Sequence, residues 1–227
     1  MDALSRLTTL TPYLALAFGL LASVLSLRSW RKRVEEHRAA LLYFLSFFVL
    51  LGILPVLIIL FQGNRPLEFL GAAGLRAGNV RLGLLLVAVS SPFAALSTLV
   101  SRRDPAMIRH YPFSKAACSG AKKLAAYEAA YLVFYYLPWE FAFRGLLFFP
   151  LVGALGLVPA LAVQTMLSTL YHLGHPDTEI LAAVGSGFVF GLVAFHTQSI
   201  FYAAAIHGLC GVLTDTTLCR RHRPVAS

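Results

Sequence analysis

The stretch Tyr131–Pro150, YLVFYYLPWEFAFRGLLFFP, decides how the rest of the chain is read. It is apolar nearly throughout, yet Glu140 and Arg144 stand in its middle. About twenty such residues cross the ~30 Å hydrocarbon core of a bilayer. A charge placed there costs about 2.5–3.5 kcal/mol on insertion scales, so an ionisable residue inside a span is a functional candidate by default. Four residues apart on a helix, the two side chains share a face and can pair. Two readings are open on this stretch alone. The pair is a structural device that lets the helix insert and docks it on its neighbours, or the carboxylate is held for chemistry.

The surrounding composition makes the membrane setting firm. Of 227 residues 58% are hydrophobic and 13% charged, and mean hydropathy is +0.74. Soluble domains carry about 25% charged residues. The net charge of +9 does not point to nucleic acid, because the basic residues concentrate between apolar runs, as topology and anionic lipid require. Cys118, Cys210 and Cys219 are odd in number and widely spaced, which implies neither a disulfide framework nor a CxxC metal site. Cys219 follows the last apolar run, where acylation is conceivable.

Working outward, apolar runs fall at residues 11–27, 39–61, 82–100, 124–150, 153–173, 179–197 and 199–218. This is an all-α, polytopic transmembrane bundle of about seven spans, or eight if the long fourth segment is counted as two. Pro55 and Pro138 should kink the second and fourth spans, and PLEFLGAAGL between the second and third reads as a short interfacial helix. Gly187 and Gly191 have the spacing for close helix packing. Lys and Arg cluster in Arg28–Arg38 (five), Ser101–Lys123 (six) and the tail after Leu218 (three), so 14 of 19 lie in segments that seven spans put on one side. By the positive-inside rule that side is the cytoplasm, the carboxy terminus is cytoplasmic, the amino terminus is outside, and a cell membrane is the expected location.

Five polar groups fall inside spans: Glu140, Arg144, His172, His207 and Asp215. Glu128, Glu179 and His196 sit nearer span ends, where hydration is easier. A single intramembrane His is usually a packing residue, but two on different helices with a Glu on a third meet the minimum for activating a water. No HExxH, GxSxG or glycine-rich phosphate loop occurs. His172 and His175, three apart before Pro176, fit a loop turn and could in principle hold a metal.

Three strings now carry a resemblance: WEFAFRG, LYHLGHPDTE and SIFYAAAIHGLCGVLTD. They resemble the EExxxR, FxxxH and HxxxN motifs of the CPBP family, intramembrane proteases related to type II CAAX prenyl endopeptidase, some of them linked to bacterial abortive infection or bacteriocin immunity. The likeness covers about Leu124–Leu218. Glu140 and Arg144 fit the second Glu and the Arg of the first motif, and His172 and His207 fit the His of the second and third. Three positions depart from the pattern: Trp139 stands where the doubled Glu would begin, Ser168 replaces the Phe of the second motif, and Gly211 replaces the Asn of the third, a side-chain donor for an oxyanion. Asp215 shares a helical face with His207 and either orients it or faces the interface.

The resemblance implies an intramembrane endopeptidase acting on a membrane-anchored or lipid-modified peptide, in contact with the bilayer and not with nucleic acid. Glu140 would be the base, His172 its partner on the water, His207 the oxyanion donor, and Arg144 the group that positions Glu140. The cofactor is either none or one divalent metal such as zinc, with Glu140, His172 and His207 as the ligands the family pattern offers. The chain then divides into 1–123, amino-terminal spans and basic cytoplasmic loops; 124–218, the protease-like core; and 219–227, a basic cytoplasmic tail. The competing expectation is a non-catalytic immunity or scaffolding protein that uses the same fold for binding.

Overall fold

Proline inside an apolar helix removes one amide hydrogen, and the backbone must re-satisfy the freed carbonyl within the bilayer. In the computed structural model, which describes residues 3–61 and 65–222, this chain solves the problem at Pro55 and Pro138 by widening the helix. Ahead of Pro55 the segment Phe48–Ile53 is π-helical, with the Leu54 amide donating five residues back to Val49. Ahead of Pro138 the same occurs over Leu132–Tyr136, and the Leu137 amide donates to the Leu132 carbonyl. A further π-helical stretch, Phe141–Phe148, follows Glu140 directly. The helix expected to kink at Pro138 therefore runs on as one element. Single π-turns recur at functional positions in helices, and here they flank Glu140 on both sides.

The elements, in chain order, are α1 (Ala3–Ala22), α2 (Leu27–Arg31), α3 (Glu36–Phe61), α4 (Pro66–Ala72), α5 (Val80–Ser101), α6 (Pro105–His110), α7 (Ala121–Leu155), α8 (Leu157–Leu170), α9 (Asp177–Thr197) and α10 (Phe201–His222). No strand occurs among the described residues. The protein is an all-α membrane helix bundle, and each of the seven apolar runs coincides with a helix. Among the described residues five helical segments are long and apolar enough to cross a membrane: Leu10–Arg31, α3, α5, α7 and α9. α8 is shorter, at 14 residues, and α10 falls outside that set. α4 is the short helix expected in PLEFLGAAGL. α10 reaches His222 and so takes up the start of the expected tail, whose residues 223–227 lie outside the described residues.

α7 is the axis. At 35 residues it is roughly 50 Å long, well beyond one hydrocarbon thickness. In its most apolar window 67% of residues are buried inside the bundle, against 17% for α5. Tyr127, Tyr131, Tyr135, Trp139 and Phe143 recur at four-residue spacing and form a ladder against Tyr43, Phe44 and Phe47 of α3. Phe44 stacks on Tyr131 with centroids 4.4 Å apart. Such pairs add about 0.5–1.5 kcal/mol beyond their burial, so the aromatic run clamps α3 to α7 and fixes the rotation of α7. That rotation aims Glu140 inward.

Two glycines of α9 do what their spacing implies. A Cβ at Gly187 would press on Thr165 and Ser168, and one at Gly191 would meet Leu161 and Gln164, so both face α8 at close approach. The cysteines correct the sequence reading. Cys118 and Cys219 are bonded, with Cα atoms 5.1 Å apart, across 101 residues of chain. The bond ties the 3₁₀ turn Lys115–Ser119 to the end of α10 and leaves Cys210 as the free thiol. Spacing along the chain hid it, because the two residues meet only after the bundle closes.

Candidate active site

Glu140 is fully buried and Arg144, one turn later, is 2% exposed. Arg144 Nε lies 3.2 Å from Glu140 Oε2, Nη1 donates to Oε1 at 3.3 Å, and Nη2 donates to the Gly187 carbonyl at 3.4 Å. Gln164 Nε2 donates to that same carbonyl at 2.8 Å. A buried Gln and a buried Arg thus converge on one acceptor of α9. His207 of α10 completes the group: its Nδ1 is 2.7 Å from Glu140 Oε1. Both donors go to Oε1. Oε2 faces the guanidinium but has no hydrogen-bond partner.

His207 sits in a ring-lined slot between Tyr136 (4.5 Å), Phe190 (5.2 Å) and Trp139 (6.5 Å between centroids). Its side chain remains 20% exposed, the opening of an otherwise buried group. Gly211, one turn further along α10, explains its own identity. A Cβ there would overlap the Tyr136 hydroxyl. The tyrosine oxygen therefore occupies the space that the Asn side chain of the third motif would fill. Sequence reasoning had no means of finding this, since Tyr136 and Gly211 belong to different helices.

His172 stands on the other side of Trp139, whose ring is 5.4 Å from it. Its Nδ1 is 2.7 Å from the Ser168 carbonyl, an acceptor only, so Nδ1 carries the hydrogen and Nε2 keeps its lone pair. That Nε2 lies 3.9 Å from Glu179 Oε1. The structure joins Glu140, Arg144 and His207 directly and turns His172 toward a different carboxylate. Ser168 is buried at 2% exposure beside Gly187, where the Phe of the second motif would not fit.

Glu179, set aside as a hydrated span-end residue, is the main omission. Its Oε1 accepts from the Tyr111 hydroxyl at 2.6 Å and lies 2.9 Å from His175 Nδ1. His110 packs on His175 at 4.8 Å between ring centroids. Burial, helped by the neighbouring His175 and opposed by Glu179, pushes His110 down to about 4, leaving its ring neutral. The i,i+4 spacing of His175 and Glu179 across HPDTE was the available signal. Lys115 braces this segment by donating to the carbonyls of Ile108, Tyr111 and Pro112, and burial pulls it down to about 8.

Two further expectations change. Asp215 does not reach His207. Its carboxylate is buried without a hydrogen-bond partner, as is that of Glu128, which the sequence placed in easier hydration. Glu140, His172 and His207 do not converge as metal ligands, because Oε1 is committed to His207 and Arg144 while His172 faces Glu179. Among the described residues the trio with metal-ligand spacing is His110, His175 and Glu179.

Fold and site together define a polytopic membrane helix bundle with an ion-paired, imidazole-bound carboxylate sealed inside it. Residues 123–213 match the family model for Type II CAAX prenyl endopeptidase Rce1-like proteins, so that segment is similar to this CAAX-protease family. No curated protein and no solved structure matches the chain.

Proposed function

We propose that the protein is an intramembrane endopeptidase that hydrolyses a peptide bond of a membrane-anchored or lipid-modified substrate with a Glu140-activated water. The observation that carries this is the division of labour on Glu140. Arg144 and His207 donate to Oε1, while Oε2 is ion-paired with Arg144 Nε at 3.2 Å but accepts no hydrogen bond. An acceptor buried without a hydrogen bond costs about 1–3 kcal/mol, a cost that taking a proton from water would relieve. A water entering beside His207 would give its proton to Oε2 as its oxygen attacks the carbonyl carbon. Arg144 keeps the carboxylate in place and offsets its charge. His207, linked to Glu140 through Nδ1, would take up the proton relay toward the leaving amine.

The tetrahedral oxyanion needs a donor, and Tyr136 is offered for that role. Its hydroxyl fills the space of the missing Asn side chain, 4.5 Å from His207 between ring centroids. His172, with Nε2 free of its own hydrogen, would orient substrate or water from the far side of Trp139. The experiment compares membrane-peptide profiles of cells making the wild-type protein, none, or the Glu140→Gln form. Precursors that accumulate alike without the protein and with Glu140→Gln support the peptidase. An unchanged peptide pool favours the binding role.

A further inference from the structure

The second carboxylate cluster has the composition of a metal site. One donor atom from each of His110, His175 and Glu179 lies within 4.8 Å of the others. Two of the polar atoms there are buried and unpartnered: His110 Nε2 and Glu179 Oε2. Buried polar groups in native proteins nearly always have a partner, so an orphaned pair in one cluster calls for an ion or water between them. We propose that His110, His175 and Glu179 bind one divalent transition-metal ion, of which zinc fits best. This site lies outside the Glu140 group and does not depend on its chemistry.

Three arguments select the ligand class. Two imidazoles and one carboxylate are the donor set of open zinc sites, with a fourth position left for water, whereas calcium and magnesium take oxygen donors. Ligands about 2.1 Å from a tetrahedral ion stand about 3.4 Å apart, so closing the trio takes side-chain movements of at most about 1.4 Å per pair. The surroundings also supply an outer layer. Tyr111 donates to Glu179 at 2.6 Å, fixing the carboxylate as hydrogen-bonded neighbours of metal ligands commonly do. On binding, the ion displaces the proton held between His175 Nδ1 and Glu179 Oε1, and that proton leaves to solvent.

The ligands come from α6, from the turn after α8 and from the first turn of α9. An ion would therefore pin the 101–123 segment across the end of the α8–α9 hairpin. It would also lie beside His172, whose Nε2 is 3.9 Å from Glu179. Occupancy thus reaches the edge of the Glu140 site without sharing any of its hydrogen bonds.

The test uses the full chain purified in detergent, stripped with chelator and reloaded with Co²⁺ as a spectroscopic probe. The expected result is about one ion per chain, with the absorption bands of a four- or five-coordinate nitrogen–oxygen site, displaced by Zn²⁺. His110→Gln and Glu179→Gln should each weaken binding more than the roughly 10-fold expected of Tyr111→Phe, while Glu140→Gln and His207→Ala bind as wild type. Wild-type protein that returns only the six-coordinate aqueous spectrum overturns the proposal. So does stoichiometric binding that survives His110→Gln and vanishes with Glu140→Gln. Because the wild-type spectrum decides by itself, a variant that fails to fold cannot shelter the idea, and peptidase activity plays no part in the reading.

Discussion

Glu140 and Glu179 each hold an imidazole nitrogen, at 2.7 and 2.9 Å, but on different foundations. Glu140 sits in mid-helix on α7 with an arginine one turn away, and everything that touches it comes from spans. Glu179 opens α9, where the helix N-terminus already favours a negative charge. Its other partner, Tyr111, arrives on a loop. Deep in the bundle a second full charge offsets the Glu140 carboxylate. At the bundle end a tyrosine hydroxyl, an imidazole and the helix dipole take that place. We propose that the first cluster serves as a base and the second accepts an ion.

The comparison breaks first if Glu140 is only Arg144's partner. Glu140→Gln keeps size and hydrogen bonding but cannot take a proton. It should lower cleavage by the folded, reconstituted protein by about 10²–10⁴-fold, with some loss of stability because the buried guanidinium loses its counter-charge. Turnover within a few-fold of wild type would return Glu140 to a structural role. Arg144→Ala tests the foundation itself. It strands a buried carboxylate and should cost about 3–5 kcal/mol of stability, seen as an earlier denaturation midpoint. Glu179 has no such dependence, so Tyr111→Phe should cost about 1 kcal/mol. Equal losses from the two substitutions would erase the distinction.

A third prediction concerns the oxyanion donor. Tyr136→Phe should reduce turnover about 10²–10³-fold with substrate affinity retained. Gly211→Asn alone should destabilise the protein, because its Cβ overlaps the Tyr136 hydroxyl. Paired with Tyr136→Ala, the Asn gains its space and should recover part of the activity. An active, stable Gly211→Asn single variant would show that Tyr136 does not stand there.

The loop cluster responds to pH through His110. His110 is held near 4 in the fold against about 6.5 unfolded, with His175, Glu179, Arg31 and Lys115 around it. Above pH 6.5 both states are neutral and stability is flat on this account. As pH falls from 6.5 toward 4 the unfolded chain binds the proton first, so up to about 3 kcal/mol is lost, and the loss levels off below 4. Hydrogen exchange of residues 105–113 in chelator-treated protein should report it. Protection that is unchanged down to pH 4.5 would remove the assignment.

The smallest expected effect is a matter of sidedness. The 101–123 segment and the end of α10 share one face through Cys118 and Cys219, as the count of basic residues requires. If that face is cytoplasmic, as the positive-inside count leads us to expect, the two sulfurs meet in a reducing compartment. They should then be alkylated as neighbouring thiols in intact cells and join on purification. A bond already present in cells would invert the proposed orientation. Reporter fusions at Arg33 and Lys115 give the independent answer.

The sequence by itself determined everything set by distance along the chain. Apolar run length settled the all-α membrane class. The four-residue step put Arg144 on Glu140, and the same step aligned the aromatic ladder of α7 and the glycines of α9. His207 was legible as an imidazole that a span must bury near a charge. Tertiary structure decided the rest. It turned His172 from Glu140 toward Glu179, set the Tyr136 hydroxyl in the space at Gly211, left Asp215 away from His207, and joined Cys118 to Cys219. The physical reason is common to all four. Helical periodicity fixes which residues share a face, but which faces meet, and at what depth, follows from how α3, α8, α9 and α10 pack around α7. Those contacts join residues on different helices, where no spacing along the chain encodes them.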